Sequence, residues 1–234
     1  MDPNIWGPKL WNIVFDICWG LRSSKQSLEH SQSIKLFFTS LKYLLPCKYC
    51  RESYVRFFDE LQGPPPCSDK ALEWAYNLRN KVNDKLKKHD RPTFDKVQRR
   101  MKTYHSLASQ HDVLDVLFIM ATNYMADEER PEEHNIKKAW FWIMMNVLPF
   151  VLENLPQQHG LSKILMDKPV SLHDIKNKDT VMQYLCGISK TLDGRNRTVE
   201  AMCEKYMHCK NPTMSNNPDH KNDNSVMTSP MSPR

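Results

Sequence analysis

At 234 residues, with 33 Lys and Arg against 27 Asp and Glu and 40% hydrophobic residues, the chain has apolar material for one sizeable core or two small ones. No stretch approaches the roughly 18 consecutive apolar residues of a membrane span, and the first residues lack the basic, apolar, small-residue order of a secretory signal, so a soluble cytoplasmic protein is expected. Only 6 glycines occur, and none falls in the Gly-x-Gly-x-x-Gly or Gly-x-x-x-x-Gly-Lys spacing, which excludes the usual glycine-loop nucleotide sites.

The net charge of +6 is unevenly placed: residues 1–105 hold 19 basic and 11 acidic side chains, residues 106–234 hold 14 and 16. A basic front half suits nucleic acid, an acidic protein or a phosphorylated cofactor, and equally a solvated helix face. Seven cysteines form an odd and high count, so the monomer cannot pair them all in disulfides, and redox or metal chemistry comes forward.

In chain order, Leu10, Ile13, Val14, Ile17 and Leu21 recur at helical spacing over residues 3–22, with Trp6 and Trp11 at the front. Ile34, Phe37, Phe38, Leu41, Leu44 and Leu45 repeat the pattern from Ser27, and Pro46 stops it. Cys47-Lys48-Tyr49-Cys50 opens a third helix that runs through Phe58 and Leu61 to the Gly63-Pro64-Pro65-Pro66 break. Ser68-Asp69 reads as the cap of a fourth, with Ala71, Ala75, Leu78, Val82 and Leu86 as its buried stripe. Four helices with short joints make a bundle. Residues 87–104 read as a basic connection. Long helices follow over about 112–124 and 132–155, the second kinked or split at Pro149, and weaker ones over about 171–189 and 198–208. After Lys210 no periodicity remains, and a disordered tail is expected. The expectation is an all-α chain: a bundle over 1–104, a helical C-terminal domain over 105–210 and a tail over 211–234. The aromatic and sulfur-rich run Trp140, Phe141, Trp142, Met144 and Met145 reads as core packing.

Chemistry concentrates at Cys47 and Cys50, since a Cys-x-x-Cys at a helix start brings two sulfurs within disulfide reach and the helix N-terminus favours a thiolate. Half of a zinc site, completed from Cys67, His89, Cys203, His208 or Cys209, and two incidental thiols remain alternatives. A dithiol that turns over needs an electron acceptor. On the fourth helix Tyr76, Arg79, Asn80, Asn83 and Lys87 share one face, where amides could read a base or ribose and cations could hold a pyrophosphate; taken alone, the face reads more readily as an ordinary solvated one.

Trp6-Gly7-Pro8-x-x-Trp11, Leu45-Pro46-Cys47-x-x-Cys50 and Trp74-x-x-x-Leu78-Arg79-Asn80-x-Val82-Asn83-x-x-Leu86 together resemble the Erv/ALR family of FAD-linked sulfhydryl oxidases, over about residues 4–100. The short Trp-Gly-Pro opening is most similar to members encoded by large cytoplasmic DNA viruses, which would place the protein in infected-host cytoplasm or the virion. The resemblance implies an Erv-like four-helix bundle, usually a homodimer, holding FAD and passing electrons from the thiols of protein substrates through the cysteine pair to flavin and then molecular oxygen, giving peroxide. It also implies that Cys50 lies at the flavin and Cys47 exchanges with the substrate, and that Trp11, Asn80, Asn83 and Lys88 contact the cofactor. Trp6, Phe15, Tyr76, Arg79 and Lys87 complete the expected cofactor set. The sequence departs from the family where histidine is usual, at Phe15 and Arg79, and lacks a structural cysteine pair, at Tyr76 and Lys96. Cys203 and Cys209 are candidates for a second, shuttling pair, while Cys18, Cys67 and Cys186 read as buried or structural thiols. The rival reading is a helical, zinc-stabilised module that binds nucleic acid or protein; nucleic acid is disfavoured because the basic stretch from Lys81 to Lys102 lacks interleaved aromatics.

Overall fold

The structure, a computed structural model, describes residues 2–22, 27–89, 91–122 and 131–207. Among these residues it is all helix: α1 Pro3–Gly20, α2 Leu28–Leu44, α3 Lys48–Glu60, α4 Ala71–Lys85, α5 Phe94–Tyr104, α6 Gln110–Thr122, α7 Pro131–Glu153, α8 His159–Asp167, α9 Lys178–Asp193 and α10 Val199–Met207, with a 3-10 turn at Pro156–Gln158 before α8. The expected tail and the end of the last helix, His208 and Cys209 included, lie outside the described residues.

Local chemistry sets most boundaries. The Asp2 carboxylate accepts from the Asn4 N–H and Pro3 occupies the first turn of α1, where its missing N–H costs nothing. Ser27 caps α2 through the His30 N–H, and Pro46 follows its end. Cys47 is the N-cap of α3, and in place of a hydroxyl or carboxylate acceptor it presents its sulfur to the first N–H groups of the helix.

Several expectations need correction. Ser68-Asp69 does not cap α4: Lys70 is its N-cap, and the Ser68 hydroxyl, two residues before it, accepts from the Lys70 N–H. Val82 and Leu86 leave the buried stripe, Leu86 being 43% exposed, because that end of α4 borders a cleft. The basic connection contains α5, whose apolar face is the sparse set Phe94, Val97 and Met101. α7 runs through Pro149 without splitting, although the proline's missing N–H leaves the Met145 carbonyl without its helical donor; the Ser162 hydroxyl of α8 donates to the Pro149 carbonyl at 2.8 Å and ties the two helices together. α8 was not anticipated, and α9 starts at Lys178 behind an Asn177–Thr180 capping box. Of the run at 140–145, Phe141, Met144 and Met145 are buried as core, while Trp142 is exposed and Trp140 stacks on Tyr43.

α1 packs on α4, α2 on α3, α3 on α4 and α5 on α4; α6 packs on α9, α7 on α8, α8 on α9 and α10 on α6 and α9. Between these groups α2 lies along α7 and α1 along α6, and the buried apolar side chains form one continuous cluster. The boundary expected near residue 104 falls in the connection from α5 to α6. That connection is pinned by Asp16 of α1, 2% exposed, which accepts from the Leu107 N–H at 2.7 Å, the Ala108 N–H at 2.8 Å and the Ser106 hydroxyl at 2.7 Å. Removing the carboxylate leaves the buried Ala108 N–H and the half-buried Leu107 N–H without their acceptor, while the Ser106 hydroxyl keeps the Ala108 carbonyl. Asp16→Ala should therefore cost about 2–3 kcal/mol of stability, read as a lowered denaturant midpoint at unchanged slope.

Candidate active site

The dithiol sits where α2 ends and α3 begins. Pro46 halts α2, the chain turns, and the Cys50 and Arg51 N–H groups close on the Cys47 carbonyl at 3.1 and 3.0 Å. The Arg51 guanidinium donates back to the Leu45 carbonyl at 2.8 Å, which fixes the approach to the helix. Cys47 is buried and Cys50 half-buried, both as free thiols. The Cys50 thiol donates to Cys47 and, with the Cys50 and Tyr49 N–H groups, outweighs burial to push Cys47 down to about 6. The same hydrogen bond, burial and the neighbouring Cys47 charge push Cys50 upward, against the pull of Lys85. The pair thus gives up one proton easily and holds the second. Lys85 is anchored beside it through the Tyr49 carbonyl and the Ser53 hydroxyl.

Cys50 opens onto a cleft between α1, α3 and α4 that encloses about 1270 Å³, its mouth included. Trp6, Trp11, Tyr54, Leu78 and Val82 make it largely apolar. Gly7 lies in its wall, and a Cβ there would meet nothing within 4 Å. The Trp6 indole N–H is buried in the same wall with no partner. Arg79, Asn83 and Pro8 also line a second compartment of about 770 Å³ between α1, α4 and α5, walled by Phe15, Tyr76, Asn80, Lys96 and Arg100. One compartment is apolar and carries a thiol; the adjoining one, also walled largely by apolar groups, carries the cations Arg79, Lys96 and Arg100.

Arg79 stands between them. Its guanidinium lies 5.1 Å over the Trp11 ring and 6.0 Å from that of Phe15. No carboxylate among the described residues lies within ion-pair distance of it, and burial together with Arg100 lowers its pKa. A half-buried cation without a counter-charge, an orphaned indole N–H and an apolar cleft fit an aromatic, phosphorylated ligand.

Of the residues singled out in the sequence, Trp6, Trp11, Cys50, Arg79, Asn83 and Lys88 line the first compartment, and Phe15, Tyr76 and Asn80 join Arg79 and Asn83 in the second. Cys47 backs onto Cys50 outside both walls. Lys87 belongs to neither: it is exposed in the turn after α4, with φ of 53°. Lys85, Lys96 and Arg100 were missed. The last two are four residues apart, with Val97 and Met101 between and beside them, a spacing that signals one basic and one apolar edge of a helix.

The other cysteines lie elsewhere. Cys18 is fully buried, and burial with nearby Cys67 raises its thiol. Cys203 on α10 is close enough to Cys186 on α9 to act on its charge, while Cys209 lies outside the described residues. No three His, Cys, Asp or Glu side chains converge as a metal site among the described residues, and among them no helix is long and apolar enough to cross a membrane.

Thiolate absorbance followed against pH should show one cysteine titrating well below the ordinary thiol value of 9.0. Cys50→Ala should move that titration upward, because it deletes the largest of the stabilising contacts.

Residues 8–104, which contain the cysteine pair and nearly all of both compartments' walls, match the model of the Erv1 / Alr family. No curated protein and no solved structure matches the chain. Helices α1 to α5 therefore carry the likeness to the Erv1 / Alr family, and α6 to α10 lie beyond it.

Proposed function

We propose that the protein is an FAD-dependent thiol oxidase that forms disulfide bonds in protein substrates. The observation that carries this reading is the placement of Cys50 in the wall of an apolar cleft that continues into a compartment holding Arg79, which pairs with no carboxylate among the described residues. The match of residues 8–104 supports it at the level of the family.

The residues present fit the cofactor. The apolar compartment between Trp6, Trp11, Leu78 and Val82 suits the flavin ring beside Cys50, and Arg79, Lys96 and Arg100 suit the phosphates and adenosine. Phe15 and Arg79, where the family usually has histidine, both remain in the cleft wall: the phenyl ring supplies packing and the guanidinium supplies a charge. FAD held there would supply a two-electron acceptor for the dithiol, with oxygen as the final acceptor and peroxide as the product.

The chain's own chemistry is thiol–disulfide exchange. With Cys47 and Cys50 joined, a substrate thiolate attacks the Cys47 sulfur, the Cys47–Cys50 bond breaks, and Cys50 leaves as a thiolate. The substrate's second thiolate then attacks its own mixed-disulfide sulfur and expels Cys47, so the substrate gains a disulfide and the enzyme a dithiol. Cys50, whose pKa is raised, takes up a proton from solvent between the two steps, and its thiol then donates to Cys47, whose depressed pKa makes it a good leaving group at neutral pH. Lys85 beside Cys50 steadies the thiolate released in the first step. Cys47 is 7% exposed, so the attacking thiol must be on a narrow or extended segment. The Trp-Gly-Pro opening supports a likeness to the viral members, for which cytosolic oxidation of virion proteins is a use.

Cys50→Ser should retain bound flavin and lose thiol-dependent oxygen consumption; full turnover in that variant would overturn the mechanism. Arg79→Ala should weaken FAD binding at least about 10-fold, the scale of one charge-assisted contact, measured by fluorescence titration of the apoprotein.

A further inference from the structure

Four contacts of the first five helices recur in the second five, where α10 packs in addition on α6. α1 on α4, α2 on α3, α3 on α4 and α4 on α5 are answered by α6 on α9, α7 on α8, α8 on α9 and α9 on α10. The sequence keeps register with it: Leu45-Pro46 before α3 and Leu155-Pro156 before α8 are 110 residues apart. At the same separation the buried Ile34, Phe38 and Leu41 of α2 correspond to the buried Met144, Leu148 and Val151 of α7. Ala71, Ala75 and Leu78 of α4 correspond likewise to Val181, Leu185 and Ile188 of α9.

Contacts between the groups obey a twofold. In a symmetric pair, a contact from i to j implies one from the mate of i to the mate of j. Tyr43 stacks on Trp140 with ring centroids 4.9 Å apart, and their mates are Glu153 and His30, which interact electrostatically. Between α1 and α6 the matching separation is 103, which pairs the buried Leu10, Ile13 and Val14 with Val113, Val116 and Leu117. It also makes Lys9 and Asp112 mates of each other, and they form a 3.0 Å ion pair, as residues beside the axis should.

The second group lacks the site. Cys47 and Cys50 correspond to Gln157 and Gly160. Gly7, open to the cleft, corresponds to Gln110, whose amide lies 3.1 Å from where a Cβ on Gly160 would stand and donates to the Gln157 carbonyl at 2.7 Å. Arg79 corresponds to Ser189, and Asn83 to Asp193, whose carboxylate is held by Arg197 at 3.1 Å. A side chain fills the space of the cleft, and a carboxylate replaces an amide that an anion could approach.

We infer that the chain is an internal pseudo-dimer, in which α6 to α10 repeat α1 to α5 through a half-turn about an axis between α2 and α7 and serve as a redox-silent partner. One chain then carries one working cleft, and the outer faces of α1 and α2 are occupied by the chain's own second half in place of a second copy. The inference holds whatever the cleft binds.

Sedimentation of the full chain should give a particle of 27.6 kDa over a 100-fold concentration range. Trp140→Ala should lower the melting temperature by the same few degrees at every concentration, because the Tyr43 contact is within one chain. A particle of twice that mass that Trp140→Ala dissociates would overturn the inference, as would a concentration-dependent loss of stability. An experimental structure adds a second test that needs no variant. Residues 28–86 should superpose on 138–196 by a rotation near a half-turn with Pro46 on Pro156, and any other register or rotation would refute the repeat.

Discussion

The helix pair α1 and α2 is apolar on two sides, and the rest of the molecule follows from covering both. One side receives α3 and α4; the other receives α6 and α7. Each fully buried side chain at these contacts, Ile17, Ile34, Phe38 and Leu41 among them, contributes about 1.5–3 kcal/mol. Because α1 and α2 are held firmly from behind, the front of the bundle can remain open between α1, α3 and α4 without collapse. The cleft that results is a feature a well-packed core would otherwise close.

What the cleft leaves uncompensated points to its chemistry. Arg79 has lost water without gaining a carboxylate, Trp6 has a buried N–H with no acceptor, and Gly7 leaves space where a side chain would fit. Each is a cost to folding that a ligand with aromatic surface, acceptors and negative charge would offset. At the mouth, Cys47 and Cys50 divide their roles by environment. The N-cap position and the donated hydrogen bond favour charge on Cys47, while Cys50 is the sulfur that reaches the cleft.

Much of this was legible in the sequence because it is local. The Pro46 stop, the Cys-x-x-Cys at a helix start and the polar face of α4 all follow from neighbouring residues, and the structure brings Cys50, Trp11, Phe15, Asn80 and Arg79 around connected compartments. α5 was passed over because its basic residues outnumber Phe94, Val97 and Met101, although these three stand at helical spacing behind the Thr93 cap; contact with α4 covers that apolar edge. α8 was hidden for a similar reason, being short and flanked by Pro156 and Pro169. Lys87 was misplaced by treating α4 as continuing past Lys85, where the chain turns through a positive φ. The correspondence of Leu45-Pro46 with Leu155-Pro156 was present in the sequence, but two residues in register mean little until packing shows what they join.

On the proposed function, FAD occupies this cleft beside Cys50. The visible absorption spectrum of the purified protein tests it most directly, followed by unfolding and identification of any released chromophore. The account requires a flavin spectrum and FAD near one per chain. A protein that is colourless, and stays so when supplied with FAD, would contradict it.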